Sequence, residues 1–190
     1  ELGLAMAGVP GYSLPGKQPP GLEATHHFPG SSLTYASVCL AVEVEVDIET
    51  GRVMVTNIVA VNDSGRMINP LLVRGQVIGS IVHTLGNTLY EWMGYDGDAQ
   101  PLTTTFAEYL LPTAPEIPPI GFSSLEFPGT NNPLGLKGAG ETGAIPVPGA
   151  IMSAVADALG ALDVTLREFP LMPGRLAALI REAGIRRGQA

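Results

Sequence analysis

Between residues 135 and 143 the chain reads Gly-Leu-Lys-Gly-Ala-Gly-Glu-Thr-Gly, and a single acid, Glu141, stands there among small residues. A glycine-rich loop ahead of a helix lets backbone N–H groups come close to an anion or an oxo ligand. Pro146 and Pro148 follow and stiffen the exit from the loop. A carboxylate held still there and shielded from water would gain the raised pKa that suits a general base. Left open to water, it is an ordinary loop acid; the residues alone leave both readings standing. The same stretch holds Gly138-Ala-Gly140-Glu-Thr-Gly143, a formal match to G-x-G-x-x-G. The dinucleotide fingerprint needs a strand feeding straight into the glycines and a helix leaving from the last one. Here the nearest strand candidate ends near Phe127 and the prolines block a helix at Gly143, although Asp163 stands about 20 residues on, where a ribose acid would be.

The elements that must position this loop are readable from periodicity. Val42, Val44, Val46 and Ile48 alternate with Glu43, Glu45 and Asp47, Glu49-Thr-Gly-Arg52 is a turn, and Val53 to Val61 is a second β-branched run. Residues 38–61 are therefore predicted as a hairpin, closed by a second turn at Asn62-Asp-Ser-Gly65. Asn69-Pro70 starts a helix, with Asn as cap and Pro at the first position, running to about Tyr90 or Trp92. Gly75, Gly79 and Gly86 lie on it, each costing about 1 kcal/mol relative to Ala, which points to close approach of a neighbour or ligand. Further on, strands are predicted over 121–127 and 163–168, and helices from Pro148 to Leu159 and over 173–183. Residues 1–32, rich in Gly, Pro and Ser, read as a linker, 33–183 as the domain and 184–190 as a tail. The fold class expected is α+β, a mixed or antiparallel sheet with packed helices.

Composition narrows the partners. The 190 residues carry 10 Lys+Arg against 18 Asp+Glu, a net charge of −8, which argues against nucleic acid and anionic membranes. No stretch gives about 20 clean apolar residues, so no membrane span is expected. The one cysteine, Cys39, excludes an internal disulfide and a four-cysteine metal site on this chain alone, and the default compartment is the cytoplasm. The adjacent His26 and His27 do not have the spacing of a metal pair, and His83 reads as a packed or exposed histidine; no metal ligand is expected. Charged residues are only 15% of the chain against 45% hydrophobic ones, which suggests apolar surface covered by a partner.

Several segments resemble, in order, the xanthine dehydrogenase/aldehyde oxidase/carbon monoxide dehydrogenase family of molybdenum hydroxylases. The loop around Lys137-Gly-Ala-Gly-Glu141-Thr-Gly, followed by Ala150 and the helix 151–159, is similar to the family's C-terminal active-site loop. Glu45-Val-Asp-Ile-Glu-Thr-Gly51, Asn62-Asp-Ser-Gly65 with Ile68-Asn-Pro70, Arg74-Gly-Gln76-Val-Ile-Gly79 leading to Glu91, Tyr109-Leu-Leu-Pro112 and Pro170-Leu-Met-Pro173 are similar to further family segments. Thr84 stands where the family usually has glycine.

The resemblance implies a molybdopterin (molybdenum cofactor) site shared with other chain segments. Glu141 would be the base toward a molybdenum-bound oxygen that hydroxylates an aldehyde, N-heterocycle or similar electron-poor carbon. Gln76, Lys137, Gly138, Ala139, Gly140 and Thr142 would bind the cofactor. Iron–sulfur clusters and FAD would sit only on partner domains or subunits, and the chain would be inactive without them or without the missing N-terminal part. The alternative is a non-catalytic fragment or scaffold that keeps the fold.

Overall fold

A computed structural model describes residues 25–27 and 33–188, with side chains as far as residue 184. The chain divides into two compact units, residues 1–31 and 32–190, and everything below concerns the second. The predicted linker lies, apart from residues 25–27, outside the described residues.

The hairpin forms as its alternation requires. β1 (Ser37–Val46) pairs antiparallel with β2 (Val53–Asp63). In the turn, Asp47 accepts from the N–H groups of Glu49 and Thr50 and from the Thr50 hydroxyl, at 2.9, 3.3 and 2.8 Å. The Thr50 hydroxyl first, and the two N–H donors after it, hold the Asp47 carboxyl below its ordinary range. Gly51 takes φ +73°, and a Cβ there would stand 2.2 Å from the Pro173 carbonyl oxygen. The ladder then slips. Glu43 faces Asn57 but Val44 faces Val55, so Thr56 is an extra residue on β2. The buried side chains accordingly change phase, from Val53 and Val55 to Ile58, Ala60 and Asn62. The Thr56 hydroxyl is buried with no hydrogen-bond partner.

α1 (Pro70–Leu89) begins at Asn69, whose side chain accepts from the Leu72 N–H at 3.2 Å. Val77, Ile81, Leu85 and Leu89 form its buried stripe, and Val147, Ile151, Val155 and Leu159 form that of α2 (Val147–Ala158) and its C-cap. Both stripes meet the inward face of the sheet around Ile58 and Ala60, with Leu171, Leu176 and Ile180 closing the core. The final helix, α3 (Pro173–Gly188), runs on through 184–188.

Two expectations are corrected. β3 (Ile120–Ser124) is shorter than predicted and pairs parallel to β2, giving a mixed sheet of order β1-β2-β3. Residues 163–168 form no strand. Val164 and Leu166 pack against the core as alternation requires, yet their backbone has no neighbouring strand among the described residues, and Asp163 turns left-handed at φ 55°. The α+β class holds. No helix among the described residues is long and apolar enough to cross a membrane.

Ile151 is fully buried. Ile151→Ala is expected to lower stability by about 2–5 kcal/mol in urea unfolding. Gly51→Ala is expected to cost at least about 1 kcal/mol through its positive φ alone, with the Pro173 collision adding to it.

Candidate functional site

The loop from Gly135 to Gly143 is anchored by the end of β2. Asp63, its last residue, is nearly buried and collects three donors. Oδ1 accepts from the Gly65 N–H at 3.0 Å and the Phe127 N–H at 3.1 Å, and Oδ2 accepts from Lys137 Nζ at 2.6 Å. Burial pushes the Asp63 carboxyl up, but the Lys137 ammonium and the two N–H donors outweigh it and hold the group below its ordinary range. Backbone bonds complete the junction. Lys137 N–H donates to the Ser64 carbonyl at 3.0 Å, Arg66 N–H to the Gly135 carbonyl at 3.0 Å, and Leu125 N–H to the Asn62 carbonyl at 2.7 Å. Asn132 caps the loop from below, its Oδ1 accepting from the Leu136 N–H at 2.8 Å and its Nδ2 donating to the Leu136 carbonyl at 2.9 Å.

The far end of the loop rests on α1. A Cβ on Gly143 would stand 2.3 Å from both the Val77 carbonyl oxygen and Ser80 Oγ, so only glycine lets the two backbones meet. That contact brings the turn of α1 carrying Gln76 alongside the loop carrying Glu141. Gly86 makes a second close approach, against Pro112 and the Glu91 carboxylate. Gly75 and Gly79 instead face open space, as do Gly138 and Gly140.

Glu141 and Gln76 are exposed in this chain, and no described residue shields the carboxylate from water. Among the described residues, the N–H groups of Gly138, Ala139, Gly140 and Glu141 have no acceptor. Thr142 is used inside the loop, its hydroxyl donating to the Ala139 carbonyl at 3.1 Å. The expected set therefore divides. Gly138, Ala139, Gly140, Glu141 and Gln76 are open to a ligand, whereas the polar ends of Lys137 and Thr142 are engaged within the protein. The dinucleotide reading fails on geometry, because β3 ends at Ser124 and α2 begins only at Val147. Asp63 and Gly143 were not singled out for the site from sequence. Asp63 looks like any turn acid, and Gly143 like any loop glycine, until the contacts of each are known.

A profile described as the molybdopterin cofactor-binding domain matches residues 5–118. The chain belongs to that family. It is 38% identical over 158 residues to the 6-hydroxypseudooxynicotine dehydrogenase complex subunit gamma of Paenarthrobacter nicotinovorans, covering 83% of this chain and 20% of that one. It is 34% identical over 148 residues to the xanthine dehydrogenase molybdenum-binding subunit of Escherichia coli, covering 77% of this chain and 19% of that one. Carbon monoxide dehydrogenase from Oligotropha carboxidovorans superposes with a TM-score of 0.84 at 28% identity, over 90% of this chain and 21% of that one. The chain thus spans about a fifth of the length of the relatives it matches. The family match takes in α1 and Gln76, and the structural likeness extends past it into the later elements.

The donor set fits such a cofactor. A run of unpartnered N–H groups on bare glycines suits an oxygen-rich, anionic group, and the open glycines of α1 let a flat ligand approach backbone closely.

Asp63→Asn would leave the Lys137 ammonium facing a neutral amide in a site where the two side chains are 16% and 10% exposed. The expected cost is about 2–3 kcal/mol, below the usual price of a broken buried pair because the lysine stem can carry its charge toward water. Because the folded pKa of Asp63 is depressed, its contribution is complete above the unfolded value of about 3.9 and fades as pH falls through the lower folded value. Acid unfolding curves should show this limb in the native chain and lose it in Asp63→Asn.

Proposed function

We propose that this chain is the C-terminal cofactor-binding segment, residues 33–183, of the large subunit of a molybdenum hydroxylase. In this reading the enzyme is an oxidoreductase that hydroxylates an aldehyde, N-heterocycle or similar electron-poor carbon of a small-molecule substrate. The observation that carries the reading is the glycine loop, fixed at both ends, that presents Glu141 beside a run of free N–H donors. The names and folds of the relatives support the same assignment.

The cofactor, when bound, supplies the oxidising centre and the oxygen that is transferred. This chain's residues do the rest. The N–H groups of Gly138, Ala139 and Gly140 would hold anionic oxygens of the cofactor, and the Gln76 amide would donate a further hydrogen bond to it. Glu141 accepts a proton at a carboxylate oxygen, the general-base role that a fixed acid in a closed site can fill. Glu141 is exposed among the described residues, so in this reading water is excluded by polypeptide beyond them or by the bound cofactor and substrate. With one cysteine, the chain has no four-cysteine set for an iron–sulfur cluster, so those clusters, and FAD where present, belong to partner domains or subunits. The reading places the assembly in the cytoplasm.

Glu141→Gln removes the base and keeps the shape. In the full complex it is expected to reduce turnover by at least about 100-fold, the lower end of what general-base catalysis contributes, with molybdenum content unchanged. Turnover at the native rate would sink the role of Glu141. An assembled complex without molybdenum would overturn the whole reading.

A further inference from the structure

Among the described residues, the hydrogen bonds of residues 138–142 in the glycine loop stay local: the Thr142 hydroxyl donates to the Ala139 carbonyl, and the Glu141 carbonyl accepts from the Ala144 N–H at 3.0 Å, just past the second anchor. At one end stands Lys137, tied by its N–H to the Ser64 carbonyl at 3.0 Å and by Nζ to Asp63 at 2.6 Å. At the other end stands Gly143, seated on the Val77 carbonyl and Ser80. Everything that fixes where Glu141 points must pass through these two ends.

We propose that Lys137 and Asp63 are positioning residues for Glu141, and that Lys137 is not a ligand of the cofactor. The proposal rests on the reading of Glu141 as the base. The Lys137 ammonium answers a nearly buried carboxylate whose other oxygen already takes two N–H donors, from Gly65 and Phe127. Turning it toward a ligand would strip Asp63 of its only cationic partner among the described residues and leave the loop's first anchor with its backbone bond alone. A charge spent in this way sets the height and tilt of the next residues, Gly138 to Glu141. The free N–H groups there are then presented in a fixed array without a cation of their own. The Asp63 side chain makes no hydrogen bond with residues 138–142 and reaches the loop chiefly through this bridge, so the two residues should behave as one unit.

The test is a double-mutant cycle in the full-length large subunit within its complex, using Lys137→Met, Asp63→Asn and the pair together. Three quantities are read: amide hydrogen exchange at residues 138–141, molybdenum content, and kcat and KM separately. Each single variant is expected to raise exchange at 138–141 by at least tenfold, with the amides of Ile58 and Ile81 unchanged. Each should lower kcat by at least tenfold, with molybdenum content and KM close to native. The double variant should be no worse than either single one, as coupled partners behave. Two results overturn the proposal. In one, Lys137→Met lowers molybdenum content while Asp63→Asn does not, and the effects add, which marks Lys137 as a ligand. In the other, exchange at 138–141 does not change. Should a single variant fail to assemble because it strands one charge, the double variant strands none and is judged by the same readings. The outcome is separable from that of Glu141→Gln, which is expected to leave exchange at 138–141 unchanged whether or not it abolishes turnover.

Discussion

One carboxylate decides how the chain is joined. Asp63 terminates β2 and at the same point takes hydrogen bonds from the turn that follows it, from the segment leaving β3 and from the glycine loop. A carboxylate has enough lone pairs for all three, and a neutral amide in its place does not. The burial that makes this acid costly is outweighed by the Lys137 ammonium and the two N–H groups that donate to it. The bonds reach from Gly65 to Lys137 and draw distant parts of the sequence to one spot. The core beneath, from Ile58 through Ile151, supplies the rigidity against which such a junction has meaning.

The site has a division of labour that follows from chemistry. Groups with strong internal partners, Lys137 and Thr142, make structure. Groups without partners, the N–H run and the Glu141 and Gln76 side chains, face outward. Free backbone donors on a surface are satisfied by water and cost little, so the arrangement is stable before any ligand arrives. The apolar residues nearby tell the same story. Ile68, Leu71, Leu72, Phe127 and Ile145 are all more than 60% exposed, which agrees with the low charge content of the sequence and with relatives roughly four times as long.

Much of this was legible in the residues. Alternation in 38–61 marked the hairpin, and Asn69-Pro70 with the following stripe marked α1 to within a turn. The glycine loop stood out because Gly138, Gly140 and Gly143 break any regular pattern around one acid. What escaped reading was long-range. Alternation at Val164 and Leu166 reports which side chains are buried, and it says nothing about whether a neighbouring strand exists; among the described residues none does. The bulge at Thr56 shifts the phase of β2 without any residue that demands it. The partnership of Lys137 with Asp63 spans 74 positions, and no local rule connects a loop lysine to a turn acid at that distance. The motif resemblance implies that Lys137 binds the cofactor, and it carries no sign of the Asp63 carboxylate that the ammonium meets in the fold.

The parallel pairing of β2 with β3 also orders events in time. The hairpin and α1 are built from contacts close in sequence and can form early, whereas β3 must return across residues 64–119 before it finds Ile58 to Asn62. Asp63 cannot collect the Phe127 N–H until that return is complete, and only then does the loop after Gly135 have its surroundings. In that order Glu141 is among the last residues to acquire a fixed position as the chain folds, after the sheet that carries the anchor of its loop is complete.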